Sequence, residues 1–192
     1  MNNQTNIEKL ITSGKKVFTI EDLAVIWGIT ERRKLIERIK HYLREKRLVH
    51  IHKGVYAYGD YTSMDVAQKL VPMSYISLYT TSQIHGLTFQ YYATTFCIAL
   101  KSITYDIGDQ TYVYHKVKEP IFYSQVGLVN QGQYIMADKE RTICDLLYVF
   151  PSTAFDSLAG VDPKKLIATA SIYGNKRLVS EVAGIARTIK KG

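Results

Sequence analysis

Residues 30–58, "TERRKLIERIKHYLREKRLVHIHKGVYAY", decide the fold. At 100° per residue, Leu35, Ile36, Ile39, Tyr42 and Leu43 fall on one face and Thr30, Arg33, Lys34, Glu37, Lys40, His41 and Arg44 on the other. That division predicts an amphipathic helix from Thr30, its N-cap, to about Lys46, with a core stripe and a cationic outer stripe; Arg38 falls beside the core stripe, where its stem would snorkel. The period then changes. Val49 and Ile51 alternate with His50 and His52, and Lys53-Gly54 supplies a turn, which predicts a β-hairpin.

Two shorter helices precede this stretch. In "TNIEKLITSG", Thr5 and Glu8 form a capping box, Ile7, Leu10 and Ile11 make a stripe, and Gly14 is the stop. "TIEDLAVIWG" repeats the plan with Thr19, Asp22 and Gly28. Two short helices, a Gly turn, a longer third helix and a hairpin give the order of a winged helix-turn-helix. The expected fold is α+β: a winged helix-turn-helix over residues 1–59, then a mixed α/β domain over 60–192.

Past Gly59, "TSMDVAQKLVP" and "YISLYTTSQIHGL" read as helices, ended by Pro72 and Gly86. "TTFCIAL", "TYVYHKV", "PIFYSQ" and "GQYIMA" read as strands. "DKERTICDLLYVF", "DPKKLIATASIYG" and "NKRLVSEVAGIARTIKK" read as helices, the second capped by Asp162 with Pro163 at its first position.

Charge is divided along the chain. Of the net +8, residues 1–59 carry 12 Lys and Arg against 6 Asp and Glu, 60–163 carry 6 against 10, and 164–192 carry 7 against 1. Basic ends around an acidic middle favour a polyanionic partner at the ends. The N-terminus has no apolar leader and no run is long enough to span a bilayer, so no membrane partner is expected. Cys97 and Cys144, in "TTFCIAL" and "RTICDLLY", read as buried thiols of a cytoplasmic protein.

On the third helix, the N-terminal part of the outer face is the part that enters a major groove in this architecture. Thr30, Arg33, Lys34 and Glu37 are therefore placed to read bases. Arg33 is the leading candidate, because a guanidinium bonds guanine O6 and N7 together; Glu37 could accept from cytosine N4 or orient a neighbouring Arg. Lys40, His41 and Arg44 lie where phosphates run, as do His50, His52 and Lys53 near the hairpin tip; Lys15 and Lys16, before the second helix, read either as phosphate contacts or as loop filling. The plainer reading of such a face is solvation, with Glu31, Glu37 and Glu45 pairing nearby cations. The ordered helices, turn and hairpin weigh against it.

No phosphate loop, dinucleotide fingerprint, CxxC or HExxH occurs. No catalytic residue, cofactor or metal is expected: His50 and His52 have no Cys or carboxylate at metal spacing, and His85 reads as a partly buried polar residue. Asp138, Glu140 and Asp145 read as a helix cap and surface face. The tyrosines, Tyr56, Tyr58, Tyr61, Tyr112 and Tyr114 among them, read first as packing and second as an interaction surface.

Three stretches, "GVYAYGDYTSMDVAQKL", "YISLYTTSQIHGL" and "MADKERTICDLLY", give the chain a resemblance to the AbiEi-type antitoxins of bacterial type IV toxin–antitoxin, or abortive infection, systems, which serve in phage defence. It departs from their pattern at "YTTSQIHGL", where a Ser-Ala pair is expected. The resemblance implies a transcriptional autorepressor on double-stranded DNA, acting at inverted repeats in its own promoter as a monomer or weak dimer, with cooperativity. It also implies a C-terminal domain that counteracts a nucleotidyltransferase-like toxin without a stable complex. Two other classes stay open. A nucleic-acid-acting enzyme would gather two of the middle carboxylates with Lys164 or His85 in one cleft, and a protein-interaction module would bury Arg33 and Lys34.

Overall fold

The protein, described over residues 5–189 in a computed structural model, is a mixed α+β chain with two sheets. It divides into two compact units, Met1–Pro72 and Met73–Gly192.

In the first unit, α1 (Asn6–Thr12) and α2 (Ile20–Trp27) start where their capping boxes dictate: the Thr5 and Thr19 hydroxyls accept from the Glu8 and Asp22 amides, and those carboxylates accept in return from the threonine amides. Gly28 ends α2 in the left-handed region, φ +67°, which only glycine enters without strain. α3 (Arg32–Arg44) follows, starting later than expected. Glu31, not Thr30, stands at the N-cap and makes no side-chain cap bond, because the turn after Gly28 uses Ile29 and Thr30 before the helix begins. It also ends before Lys46, which takes φ +55° and sends the Arg47 amide back to the Tyr42 carbonyl.

The hairpin is β2 (Val49–His52) and β3 (Val55–Ala57), closed by Lys53 and Gly54. A third strand, β1 (Val17–Thr19), pairs antiparallel with the other edge of β3, so the order is β1-β3-β2 and the middle strand is wholly buried. β1 is only three residues long and merges into the α2 cap. Leu10, Phe18, Leu23, Trp27, Leu35 and Ile39 join in one apolar core, with Ile36 and Leu43 packed at its edge. Trp27 spends its one polar group on the Asn6 carbonyl at 3.0 Å.

The division falls after Pro72, not after Tyr58-Gly59 as the hairpin's end suggested. α4 (Ser63–Leu70), capped by Thr62 with Asp65, packs on β1, and Lys69 Nζ meets Asp22 Oδ2 at 2.6 Å. An ion pair reaching back 47 residues ties α4 to the first unit.

The second unit runs β4 (Tyr75–Ile76), α5 (Leu78–Ile84), β5 (Thr95–Ala99), β6 (Ile103–Ile107), β7 (Gln110–Lys116), α6 (Glu119–Tyr123), β8 (Leu128–Asn130), β9 (Ile135–Ala137), α7 (Lys139–Val149), α8 (Pro163–Ser171) and α9 (Lys176–Ile189). Its sheet is mixed, in the order β6-β7-β5-β4-β9-β8, with β4–β9 and β5–β7 parallel. The stretch "PIFYSQ", expected as a strand, is helical: Pro120 in the first turn presets the backbone of α6, and that outweighs the β preference of Ile121, Phe122 and Tyr123. Residues 75–76, expected within a helix, form β4 instead.

α7 differs from the expectation in its burial. Asp138 is its N-cap as expected, accepting from the Arg141 amide, but Glu140 and Asp145 are buried rather than on a surface face. Burial is tolerated because each carboxylate is partnered. Asp145 accepts from Tyr75, Ser77 and Tyr173 hydroxyls at 3.1, 2.7 and 2.6 Å and from Arg141 Nε at 3.4 Å. Arg141 spends its other donors on the Tyr75 hydroxyl and the carbonyls of Ile121 and Val126. Cys97 and Cys144 are buried free thiols, and burial pushes both well above the ordinary range. Among the described residues no helix is long and apolar enough to cross a membrane.

Candidate nucleic-acid interface

α3 presents its outer face to solvent because Leu35, Ile39 and Tyr42 occupy the core. Arg33 and Glu37, one turn apart, have side chains 86% and 65% exposed, with Arg33 Nε 3.4 Å from Glu37 Oε1. Lys34, 72% exposed, pairs with Glu31 at 2.7 Å, and His41 meets Glu45 at 3.2 Å. Exposed pairs of this kind contribute little to stability, about 0–1 kcal/mol, and separate readily when a polyanion competes. Lys40 and Arg44 are exposed and make no ion pair among the described residues.

Two grooves flank the helix face. One of about 440 Å3 is lined by Ile29, Lys34, Glu37, Arg38 and His41, the other of about 590 Å3 by Glu37, Lys40, Leu43 and Arg44. Thr30 is exposed and lines a third, of about 480 Å3, with Gly28, Ile29 and Arg32. Arg38, expected to snorkel along the core, is exposed and belongs to the first groove. Its place was legible in the spacing, since Lys34, Arg38 and His41 make one i, i+4, i+7 stripe. Arg32 and Lys46, also exposed, were missed because each stands at a helix end whose position was misjudged.

The hairpin carries the other predicted contacts. Lys53 is exposed at the turn, His50 is exposed on β2 with its ring 5.5 Å from that of Tyr56, and His52 is half-buried. Lys15 and Lys16 do not join them. The Lys16 carbonyl accepts from the Tyr58 amide, and Thr19 aligns with Val55 beside the turn, so the two lysines sit at the opposite end of the sheet from Lys53. Both are half-buried, and the Lys15 charge acts on Asp22: burial alone would raise that carboxyl, but the Lys69 and Thr19 bonds, with Lys69 and Lys15, hold it below the ordinary value.

In the second unit, Asp138 and Glu140 gather around Lys165 rather than Lys164 or His85. Lys165 Nζ lies 2.8 Å from each carboxylate, and Glu140 also accepts from the Asp162 amide. Burial alone would raise Glu140, but Lys165 and the Asp162 amide more than offset it and hold the carboxyl low. The Lys165 ammonium is pushed up to about 12 by its bonds to Asp138 and Glu140. Each charge is thus consumed in joining α7 to α8. His85, half-buried, sits 2.9 Å from the Ala137 carbonyl. Among the described residues no three His, Cys, Asp or Glu side chains converge as a metal site.

On α9, Lys176, Arg177 and Arg187 are exposed, though Arg177 is engaged with Glu181 and the Leu147 carbonyl. Lys190 and Lys191 lie outside the described residues. What fold and site define together is a class: an α+β chain whose first unit displays an open cationic helix beside a short hairpin. No protein-family model and no curated protein matches it.

Proposed function

We propose that the chain is a sequence-specific DNA-binding repressor and antitoxin. In this reading residues 1–72 are a winged helix-turn-helix: α3 lies in the major groove, Arg33, Lys34, Glu37 and Thr30 meet base edges, and Lys40, His41, Arg44, His50 and Lys53 meet the backbone. The observation that carries it is the outer face of α3, where Arg33 is 86% exposed within a row of cations that the fold leaves open. The antitoxin role rests on the resemblance of the three quoted stretches, and with it the toxin partner, the inverted repeats and the cytoplasmic location. Two buried free thiols suit a reducing compartment.

The test is binding of purified protein to duplexes from the promoter of its own gene and to scrambled duplexes over a range of salt. Arg33→Ala should weaken promoter binding and relax preference at one base pair. Lys53→Ala should lower affinity alike on both duplexes and reduce the salt slope by about 1. Equal, undiminished binding of both variants to both duplexes refutes the assignment.

A protein-interaction role is favoured by a different feature, the loop at Phe89 and Tyr91, 77% and 82% exposed. Its backbone is held by Asp156, which accepts from the Phe89 amide at 2.8 Å, and by Gln83 on the Gln90 carbonyl at 2.7 Å. Two exposed aromatic rings on a loop held through its backbone suit a protein partner.

A further inference from the structure

α3 holds six Lys and Arg and a single carboxylate, Glu37. That carboxylate is at the centre of the outer face: Arg33, Lys40 and Arg44 lie to one side, Lys34, Arg38 and His41 to the other, and both flanking grooves include it. A negative charge there works against affinity for any polyanion, since it faces phosphates in every register. It is useful only where something in the groove donates to it.

Resting on the DNA-binding reading above, we propose that Arg33 and Glu37 form one reading unit that selects a guanine with a cytosine on a neighbouring base pair. Glu37 Oε1 holds Arg33 through Nε, which leaves both terminal guanidinium nitrogens pointing onward as a fork. That fork matches guanine O6 and N7. Glu37 Oε2 has no protein donor among the described residues, so it is available to a base. In the major groove only cytosine N4 and adenine N6 donate, and adenine sets its N7 acceptor beside that donor, where it repels a carboxylate. Cytosine does not. Four residues of helix rise about 6 Å, but the contact between the side chains draws their tips together, near the 3.4 Å separation of stacked base pairs.

This assignment predicts an unusual pairing of effects. Removing the Glu37 charge should strengthen binding to random DNA while weakening discrimination. A side chain that merely steadied Arg33 would, once removed, cost only the guanine preference, because no cytosine preference would exist to be lost.

The experiment is selection of bound duplexes from a randomised library by the full chain, followed by affinities for the enriched site and for its single-base variants. Wild type should enrich a G·C pair beside a C·G pair. Glu37→Ala should lose the cytosine preference, by about tenfold, and bind random duplex more tightly; Glu37→Gln should turn that position toward adenine, because an amide both donates to N7 and accepts from N6. Arg33→Ala should lose the guanine, and the double variant should lose less than the two single losses combined. Unaltered preferences in both Glu37 variants overturn the reading unit while leaving DNA binding standing. A wild-type selection without any enriched sequence overturns both. Both positions are exposed, and circular dichroism of each variant checks that the fold is kept.

Discussion

Arg141 shows how much the second unit depends on single side chains. Its guanidinium and the Asp145 carboxylate are wholly buried, and they share one network with Tyr75, Ser77 and Tyr173. Removing one partner leaves an uncompensated charge in the interior, which costs roughly 3–5 kcal/mol. Arg141→Met should therefore shift the urea unfolding of the second unit by that amount, while the spectroscopic signal of Trp27, in the first unit, unfolds as before. The sequence made Asp138 legible as a cap, because a cap is a local bond to the next turn. It did not make Asp145 legible as a buried anion. Its hydroxyl donors come from 70, 68 and 28 residues away, and "RTICDLLY" shows only the Arg141 partner at i−4.

Elements were legible in proportion to how far their own residues determine them. Capping boxes and terminal glycines placed α1, α2 and α4, and Asp162-Pro163 placed α8, since each signal is a bond or backbone preference within four residues. β1, β6 and β8 were missed: β1 and β8 are three residues long and held by pairing, whereas β6 carries an alternation at Ile103, Tyr105 and Ile107 that the sequence did show. On the candidate interface, the helix face is legible residue by residue, whereas the place of Lys15 and Lys16 is set by the pairing of β1, which the sequence did not announce. On β7, His115 stands between Phe96 and Phe150, rings 6.3 and 5.0 Å away, with its Nε2 buried and unpartnered among the described residues. Burial depresses its pKa below the ordinary 6.5. The unfolded chain therefore takes up a proton at higher pH than the folded chain does, and stability present above about 6.5 is lost as pH falls toward the folded value. His115→Phe should flatten that loss, read as urea midpoints at about pH 7.5 and about pH 5.5.

At the scale of the molecule, each unit has its own apolar cluster and its own sheet. The first unit should fold alone as residues 1–72. A fragment cut at residue 59 loses α4 and the Lys69–Asp22 pair, and its melting temperature should be lower, by roughly 4–8 °C for each kcal/mol forfeited in a domain of this size. Equal melting temperatures would show that α4 contributes nothing to the unit.

β4 gives the second unit a different history from the first. Ile76 is aligned with Cys97 on one side and with Met136 on the other, so this two-residue strand waits for chain that comes some sixty positions later. On the ribosome the ladder's centre cannot zip until that stretch has emerged, whereas the head needs only its first 72 residues. Each nascent polypeptide thus carries a finished, positively charged head while its tail is still an open coil, and the period in which the tail's tyrosine-rich strands stand unzipped is set by the pace of translation.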